Sequence, residues 1–249
     1  MRISIVTVCY NAVATIGDTL ASVATQSHPD VEHIVIDGGS TDGTQALVER
    51  QGSRVSAFVS EPDRGIYDAM NKGIDLATGE VIGILNADDL YADHDVLARV
   101  AEVMAAESLD ALYGDVSFFA AEAPQLPTRR YRSRWFSPGR IAWGWMPAHP
   151  SLFLRRSVFD QYGRYRTDFR IAGDFEFVAR IFRADALRYR YLPEVLVKMR
   201  SGGVSTAGWR STMLLNREVL RACRDNGIRT NLPMLLSKYP LKILEYIRK

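Results

Sequence analysis

The sequence predicts an α/β fold with a mostly parallel central sheet flanked by helices. Between residues 3 and 106, strand-like and helix-like stretches alternate at a spacing of roughly 25 residues, which is typical of βαβ units. The strand-like stretches are short apolar runs rich in Val and Ile, which indicates strands buried on both faces. Acidic residues follow three of the four strands within a few positions, at Asp37, Asp63 and the pair Asp88-Asp89. Such sheets bind ligands at the carboxyl ends of their strands, so the pattern also predicts a ligand site there.

Four strands alternate with four helices in the first part of the chain, and the second part is less regular. The predicted strands are Ile3–Cys9, Val31–Asp37, Val55–Ser60 and 81–85, and the predicted helices are 12–26, 43–51, 66–77 and 93–106. Further on we predict a strand at 111–119, a Pro- and Ala-rich break at 122–127, an edge strand with alternating arginines at 129–135, a strand at 151–154 and a helix at 174–183.

The net charge of +2 conceals a strong asymmetry between the two halves of the chain. Residues 1–128 contain 6 Lys and Arg and 20 Asp and Glu, a net charge of −14, whereas residues 129–249 contain 25 and 9, a net charge of +16. An acidic half suits a bound metal ion. A basic half suits phosphate groups, nucleic acid or an anionic membrane, and of these we do not expect nucleic acid.

Features that the sequence lacks exclude several classes of protein. The two cysteines, Cys9 and Cys223, lie far apart, which predicts a reducing compartment and no disulfide framework. Met1 leads directly into a predicted strand without a signal peptide, and no window reaches the ~18 uncharged apolar residues of a membrane span. Neither a GxGxxG after the first strand nor a P-loop motif occurs, so a dinucleotide-binding domain and a P-loop NTPase are not expected. These observations predict a cytoplasmic protein that belongs to neither of these two classes.

Two adjacent carboxylates, Asp88 and Asp89, follow the buried strand 81–85. Their charges repel each other unless a cation lies beside them. Mg²⁺ or Mn²⁺ would fit, because these ions prefer oxygen ligands and often share them with phosphates. The alternative is an acidic helix N-terminus, where Asp is a good cap. Acids after three strands weaken this alternative without excluding it.

Four ordered motifs resemble the family 2 glycosyltransferases, in particular bacterial polysaccharide-biosynthesis members of the colanic-acid type. They are TVCYN at 7–11, VIDGGSTDGT at 35–44, EPDRGIYDAMNKG at 61–73 and NADD at 86–89. The resemblance covers residues 1 to about 205 and implies the GT-A fold, a nucleotide-sugar donor, a divalent metal (Mg²⁺ or Mn²⁺) and sugar transfer with inversion. It implies these roles for single residues: nucleotide contact by Thr7, Tyr10 and Asn11, base reading by Asp37, base and ribose contact by Asp63 and Arg64, nucleotide-sugar contact by Asn86 and Asp88, and metal contact by Asp89.

Three later segments are similar to the family's segments around the acceptor and the diphosphate. The segment at 171–177 implies that Asp174 is the general base, although an acid there could also serve the helix N-terminus. His149, between two prolines, is similar to the family's acceptor-site His, although Pro150 departs from that motif and a structural role is the alternative. Gly203 and Ser205 belong to a loop that lies by the diphosphate in the family, and a generic turn is the alternative.

The C-terminal tail lies beyond the resemblance. We predict a helix at 208–226 with four arginines on one face, and 232–249 is amphipathic and basic. The alternatives are a helix packed on the core and an interfacial helix on anionic lipid, and we favour the second.

Together these features predict a metal-dependent glycosyltransferase on the inner face of the cytoplasmic membrane. We expect a donor-binding half at 1–128, an acceptor-binding half at 129–205 and a basic tail at 206–249. The acceptor would be a saccharide or a lipid-diphosphate-linked saccharide. A sugar nucleotidyltransferase and a non-catalytic scaffold for polysaccharide or lipid are the alternatives.

Overall fold

The computed structural model describes residues 1–120, 123–183, 186–201 and 209–238. Within these residues, nine strands form one sheet with helices packed on both faces. The strands are β1 Ile3–Cys9, β2 Val31–Asp37, β3 Val55–Ser60, β4 Val81–Ile84, β5 Asp89–Tyr91, β6 Ala111–Ala120, β7 Ala123–Tyr131, β8 Leu152–Arg155 and β9 Tyr189–Arg200. The helices are α1 Ile16–Ala24, α2 Thr44–Gln51, α3 Ile66–Leu76, α4 Val96–Ala106, α5 Arg156–Tyr162, α6 Gly173–Phe182, α7 Trp209–Asp225 and α8 Leu232–Leu236.

The sheet has the strand order β3-β2-β1-β4-β8-β6-β9-β5, with β7 paired to β6. The first four strands in this order are parallel, as the βαβ spacing predicts. β8 then joins the sheet antiparallel to both β4 and β6, and β6 and β9 are parallel to each other. The predicted boundary at 128 falls inside β7, and strands from both sides of it share this sheet. The division into a donor half and an acceptor half stays a prediction.

The predictions of a break at 122–127 and of an edge strand reaching 135 were wrong. β7 begins at Ala123 and ends at Tyr131, and 133–135 form a 3₁₀ turn. Pro127 is tolerated because β7 is an edge strand, and register shifts at Phe119 accommodate it. The strand ends where it does because the backbone N–H of Ser133 donates to Asp115 Oδ1 at 2.8 Å.

Apolar side chains cover both faces of the sheet. On one face, α3, α5 and α6 pack in a single core cluster, and α4 covers the other face. α7 confirms the helix predicted at 208–226, and its residues Val219, Ala222 and Cys223 are buried in the first cluster. The alternative of a helix packed on the core is therefore the observed one for α7.

α8 follows α7 and also packs on the core. Leu235 is fully buried, and the Lys238 Nζ donates to the Gly144 carbonyl at 3.0 Å. The remaining residues of the predicted amphipathic tail, 239–249, lie outside the described residues. Within the part of the chain that the structure describes, no helix is both long and apolar enough to cross a membrane.

Candidate active site

A cleft of about 990 Å³ opens at the carboxyl ends of β1 and β4. This volume is in the range of small-molecule and cofactor sites. We call its lining residues between 8 and 89 the N-terminal lining, and those between 118 and 201 the C-terminal lining. The charged residues of the N-terminal lining are Asp63, Asp88 and Asp89, and those of the C-terminal lining are Arg129, Arg170, Asp174 and Arg200. The cleft therefore has an acidic side and a basic side, with the same signs as the two halves of the sequence.

Asp88 and Asp89 lie in the cleft in a turn and a short strand. Asp89 begins β5, is 1% exposed and pairs in register with Met199 of β9. α4 begins only at Val96, so the interpretation of this acid pair as a helix cap was wrong. Burial raises the pKa of Asp89 well above its usual value, and the charge of Asp88 raises it further. Burial also raises the pKa of Asp88, and the positive charge of Arg200 opposes this shift.

Asn86 completes a set of oxygen ligands around this acid pair. Its Nδ2 donates to Asp89 Oδ2 at 3.1 Å, and its Oδ1 is buried and has no hydrogen-bond partner among the described residues. Two carboxylates that burial destabilises, next to an orphaned amide oxygen, fit a hard divalent cation such as Mg²⁺ or Mn²⁺. Among the described residues no three or more His, Cys, Asp or Glu cluster as a complete metal site. The remaining ligands of a cation here would be phosphate oxygens and water, as is usual for Mg²⁺.

Asp174 lies in the cleft, on the first turn of α6. Its Oδ1 accepts a hydrogen bond from the backbone N–H of Phe175 at 2.8 Å and lies 3.3 Å from the hydroxyl of Tyr67. Tyr67 comes this close because the preceding helix residue is Gly173, where a Cβ would lie 2.7 Å from the tyrosine ring. The carboxylate is half-buried and open to the cleft, which suits a group that removes a proton from a bound hydroxyl.

His149 also lines the cleft. Its Nε2 lies 2.9 Å from the hydroxyl of Tyr165, whose ring stacks on Tyr67 at a centroid distance of 5.9 Å. Burial lowers the pKa of His149, and the negative charge of Asp174 opposes this shift. His149 and Asp174 thus line one cleft, and contacts with Tyr165 and Tyr67 connect them.

Three predicted nucleotide ligands also line the cleft. Tyr10 is 65% exposed, and Asn11 is held in the left-handed region at φ 48°. The backbone N–H of Asn11 donates to Ser40 Oγ at 2.7 Å, which fixes this turn. Asp63 accepts from the backbone N–H of Gly65 at 2.8 Å. These three residues therefore lie at the cleft, and their nucleotide contacts stay a prediction.

Three other predicted nucleotide ligands do not line the cleft. Thr7 is fully buried in β1, with its hydroxyl 3.0 Å from His33 Nε2. Arg64 points to solvent, with 81% of its side chain exposed, and pairs with Asp68 at 3.0 Å. Asp37 is fully buried and accepts hydrogen bonds from the backbone N–H of Ser40 at 2.9 Å and the hydroxyl of Ser60 at 2.6 Å. The roles of all three stay predictions.

Asp37 nevertheless acts on the cleft through the loop that it holds. Burial alone would raise the pKa of this carboxyl, but hydrogen bonds from Ser40 and Ser60 together bring it below its usual value. Gly38, next to it, approaches the Asp63 carboxylate so closely that a Cβ at this position would overlap it. The same Cβ would lie 3.4 Å from the Tyr10 ring. Asp37 therefore fixes a loop that packs against two cleft residues.

Arg200 and Tyr67 also lie at the cleft, although neither has a role predicted from the sequence. Arg200 ends β9 and pairs with Asp18 at 3.2 Å, and its buried Nε has no hydrogen-bond partner within the part of the chain that the structure describes. Its place beside Asp88 follows from the pairing of β9 with β5, for which the sequence offers no local signal. Tyr67 lies within the motif EPDRGIYDAMNKG at 61–73, and this was the sequence signal that could have identified it as a cleft residue. The predicted loop residues Gly203 and Ser205 lie outside the described residues.

Residues 4–190 match the family described as Glycosyl transferase family 2. A PGL/p-HBAD biosynthesis glycosyltransferase from Mycobacterium bovis (strain BCG / Pasteur 1173P2) is 35% identical over 211 residues, which cover 81% of this chain and 78% of that protein. An uncharacterized glycosyltransferase from Mycobacterium tuberculosis is 32% identical over 185 residues, covering 72% of this chain and 68% of the relative.

Solved structures of glycosyltransferases share the fold. S. aureus TarS has a TM-score of 0.67 at 20% identity, and the match covers 88% of this chain but only 39% of TarS. A complex of TarS residues 1–349 with UDP-GlcNAc matches with a TM-score of 0.66 at 18% identity, covering 89% of this chain and 66% of that one.

The mannosyltransferase PcManGT from Pyrobaculum calidifontis, in complex with GDP-Man and Mn²⁺, has a TM-score of 0.63 at 21% identity, covering 99% of this chain and 82% of its own. At these identities the structural likeness confirms the predicted GT-A fold. The match over residues 4–190 and the identities of 35% and 32% show the family itself. The chain therefore belongs to glycosyltransferase family 2.

Proposed function

We propose that this chain is a metal-dependent, inverting glycosyltransferase. It would move a sugar from a nucleotide-diphosphate sugar to a saccharide or lipid-linked saccharide in bacterial polysaccharide biosynthesis, as colanic-acid-type members do. The observation that carries the proposal is that Asp88, Asp89 and Asp174 line one cleft. A cation site and a separate carboxylate base are what an inverting transfer requires.

The N-terminal lining would bind the donor. Asp88, Asp89 and Asn86 would hold Mg²⁺ or Mn²⁺, which when bound neutralises the negative charge of the diphosphate leaving group. Tyr10 and Asp63 would contact the nucleotide, with Asp37 acting through its loop. The solved complexes of similar fold contain UDP-GlcNAc in one protein and GDP-Man with Mn²⁺ in another, which supports a nucleotide-sugar donor.

Asp174 would act as the general base on the acceptor. Its carboxylate takes the proton of the acceptor hydroxyl as that oxygen attacks the anomeric carbon from the side opposite the leaving group, so the configuration inverts. No second, acidic carboxylate is needed, because a bound cation would offset the charge of the leaving diphosphate, which then requires no proton. The hydroxyl of Tyr67 would orient the Asp174 carboxylate during this step.

The C-terminal lining would bind an acceptor that carries negative charge. Arg129, Arg170 and Arg200 line the cleft, and guanidinium groups bind phosphate oxygens in bidentate fashion. A lipid-diphosphate-linked saccharide has such phosphates. His149 would lie near the acceptor hydroxyl.

We further propose that the enzyme is cytoplasmic and lies peripherally on the inner face of the cytoplasmic membrane. Trp143 is 43% exposed on the 3₁₀ turn that contacts α8, and α8 exposes Leu232 and Leu236 at 50% and 48%. Tryptophan and leucine beside cationic residues are typical of membrane-surface segments. The cations of 239–249 would add attraction to anionic lipid.

A donor panel tests the proposed function. The full chain with Mn²⁺ is incubated with UDP-glucose, UDP-galactose, UDP-GlcNAc or GDP-mannose, and nucleotide release is measured with and without saccharide acceptors. We expect acceptor-stimulated release from one donor, lost on chelation of the metal, and a product of inverted anomeric configuration by NMR. Nucleotide binding without any turnover would favour a non-catalytic protein, and retained configuration would contradict the assigned mechanism.

A further inference from the structure

Glu218 is a buried carboxylate on α7, outside residues 4–190 that match the family. It is 7% exposed and does not line the cleft. A buried carboxylate is costly unless hydrogen-bond donors surround it. The donors that satisfy Glu218 come from the loop at 170–172, immediately before α6.

The Glu218 carboxylate accepts hydrogen bonds from three consecutive backbone N–H groups. Oε1 accepts from Arg170, and Oε2 accepts from Ile171 and Ala172, each at 2.9 Å. Hydrogen bonds to an ionised acceptor are roughly twice as strong as neutral ones. These three bonds fix the path of the backbone into α6.

The N-cap position of α6 provides no capping side chain. The residue there is Ala172, which has no side-chain oxygen, and Asp174 itself accepts a hydrogen bond from the first-turn N–H of Phe175. Glu218 places a negative charge at this end from another helix, where the helix dipole is positive. The same first turn carries Asp174.

We propose that Glu218 is a positioning residue for the reaction, holding the loop at 170–172 and the start of α6 so that Asp174 is aimed into the cleft. The inference rests on the proposed role of Asp174 as the general base. Tyr67 supports the same loop from α3, because its hydroxyl lies 2.7 Å from the Ile171 carbonyl as well as 3.3 Å from Asp174. The base is thereby tied to two helices, and one of them lies beyond the matched family region.

α7 offers a matched control in Asp225. Its carboxylate pairs with Arg166 at 2.7 Å, so it also joins α7 to the segment before α6. Both side chains are about one-third exposed, at 32% and 34%, and exposed pairs contribute little to stability. Asp225→Asn therefore removes a carboxylate from the same helix but leaves in place the three hydrogen bonds that backbone N–H groups donate to Glu218.

Hydrogen exchange of the full chain tests the structural half of the proposal. Glu218→Gln keeps the side-chain length but turns an NH₂ group towards a backbone donor. We expect the amides of 170–172 to exchange at least ~10-fold faster in this variant and at the wild-type rate in Asp225→Asn. Unchanged exchange in Glu218→Gln would overturn the proposal. If that variant does not fold, Glu218→Asp, which keeps the charge but is shorter, enters the same assays.

Kinetics test the functional half, with whichever donor of the panel is turned over. We expect Glu218→Gln to lower kcat by about 10- to 100-fold, the scale of a small misplacement of a catalytic group. The KM for the donor and the Mn²⁺-dependent affinity for UDP should stay within twofold of wild type. A parallel loss of UDP binding would show a general structural defect and overturn the positioning role.

A double-mutant cycle separates this inference from the proposed function. If Glu218 acts through Asp174, Glu218→Gln causes no further fall in kcat in the Asp174→Asn background. An equal fall in both backgrounds would mean that Glu218 acts through another group. A wild-type kcat in Asp174→Asn alone would instead contradict the base assignment, and the positioning role would fail with it, while the exchange result would still report the loop contact.

Discussion

The two linings of the cleft are built in different ways. The N-terminal lining comes from the end of β1, from the segments that directly follow β1, β3 and β4, and from the first turns of α3, so its side chains lie close in sequence to the ends of parallel strands. The C-terminal lining is assembled from β6, β7, β9, a 3₁₀ turn and the start of α6, which are distant in sequence. Local sequence therefore places the acids proposed to bind the donor, whereas tertiary contacts place the proposed base and the arginines.

The largest expected effect comes from the C-terminal lining. Asp174→Asn should lower kcat by about 10² to 10⁴, the usual contribution of general-base catalysis, because the amide cannot take the acceptor proton. Donor affinity should remain, since the donor ligands belong to the other lining. Initial rates and equilibrium UDP binding measure the two quantities. A variant that loses donor binding but keeps its turnover would show that Asp174 is a donor ligand.

The N-terminal lining should fail in the opposite way. Asp89→Ala should weaken Mn²⁺-dependent UDP binding by about 10²-fold or more while the fold persists, because it removes a carboxylate that we propose as a metal ligand. Isothermal titration calorimetry with and without Mn²⁺ measures this loss, and circular dichroism monitors the fold. Asp63→Asn, in the same lining but away from the acid pair, should keep the metal dependence. Undiminished Mn²⁺-dependent binding in Asp89→Ala would contradict the metal assignment.

The same difference explains what the sequence could predict. The parallel strands and the acids after them follow from apolar runs and motifs of a few residues, and the structure confirms the strands. β5 could not be predicted, because its three residues form a strand only through pairing with β9. Arg200 and Glu218 were missed for the same reason, since their partners lie far away in the chain. β7 was predicted too short at its start because Pro127 resembles a break until its partner strand is known.

A pH titration of stability tests the buried contact between His33 of β2 and Thr7 of β1, the strand that leads into the N-terminal lining. Burial lowers the pKa of His33 to about 4, and this ring contacts Thr7. Between about pH 6.5 and 4 the unfolded chain binds a proton on this residue that the folded chain does not. The free energy of unfolding should therefore fall by up to about 3 kcal/mol as the pH is lowered through this range.

Urea denaturation at several pH values, with His33→Gln as the comparison, isolates this contribution. The low pKa of His149 acts in the same direction, and the raised pKa of Asp89 acts in the opposite one. Both groups are present in the wild type and in the variant, so they cancel in the difference. Parallel pH profiles of the two proteins would contradict the assignment to His33.

The smallest expected effect concerns the membrane. The tail is best removed by truncation after Lys238, because a truncation after Ile228 would also remove the buried Leu235 and disturb the core. Residues 239–249 carry three cations and one acid, a net charge of +2. At ~1 kcal/mol for each net positive charge near an anionic surface, their removal should weaken binding to anionic liposomes by about 30-fold at low salt. Co-sedimentation at low and high salt measures this.

Two single substitutions complete the membrane test. Trp143→Ala should weaken binding independently of salt, because it removes apolar contact with the lipid. Met213→Ala, which removes an exposed apolar side chain from α7, should not weaken it. If the full chain does not bind anionic liposomes at low salt, the proposed membrane surface is contradicted. The apolar residues of α8 would then serve only the packing of this helix on the core.

The position of β9 between β6 and β5 has a consequence for any fragment cut by family boundaries. A recombinant piece ending at residue 190 would retain every motif residue from Thr7 to Asp174 but lose nearly all of β9. It would expose unpaired backbone along β6, the kind of edge on which chains aggregate. It would also release β5, and with it Asp89, from the strand that holds it in register. The smallest expressible catalytic unit is therefore longer than the segment by which the family is recognised.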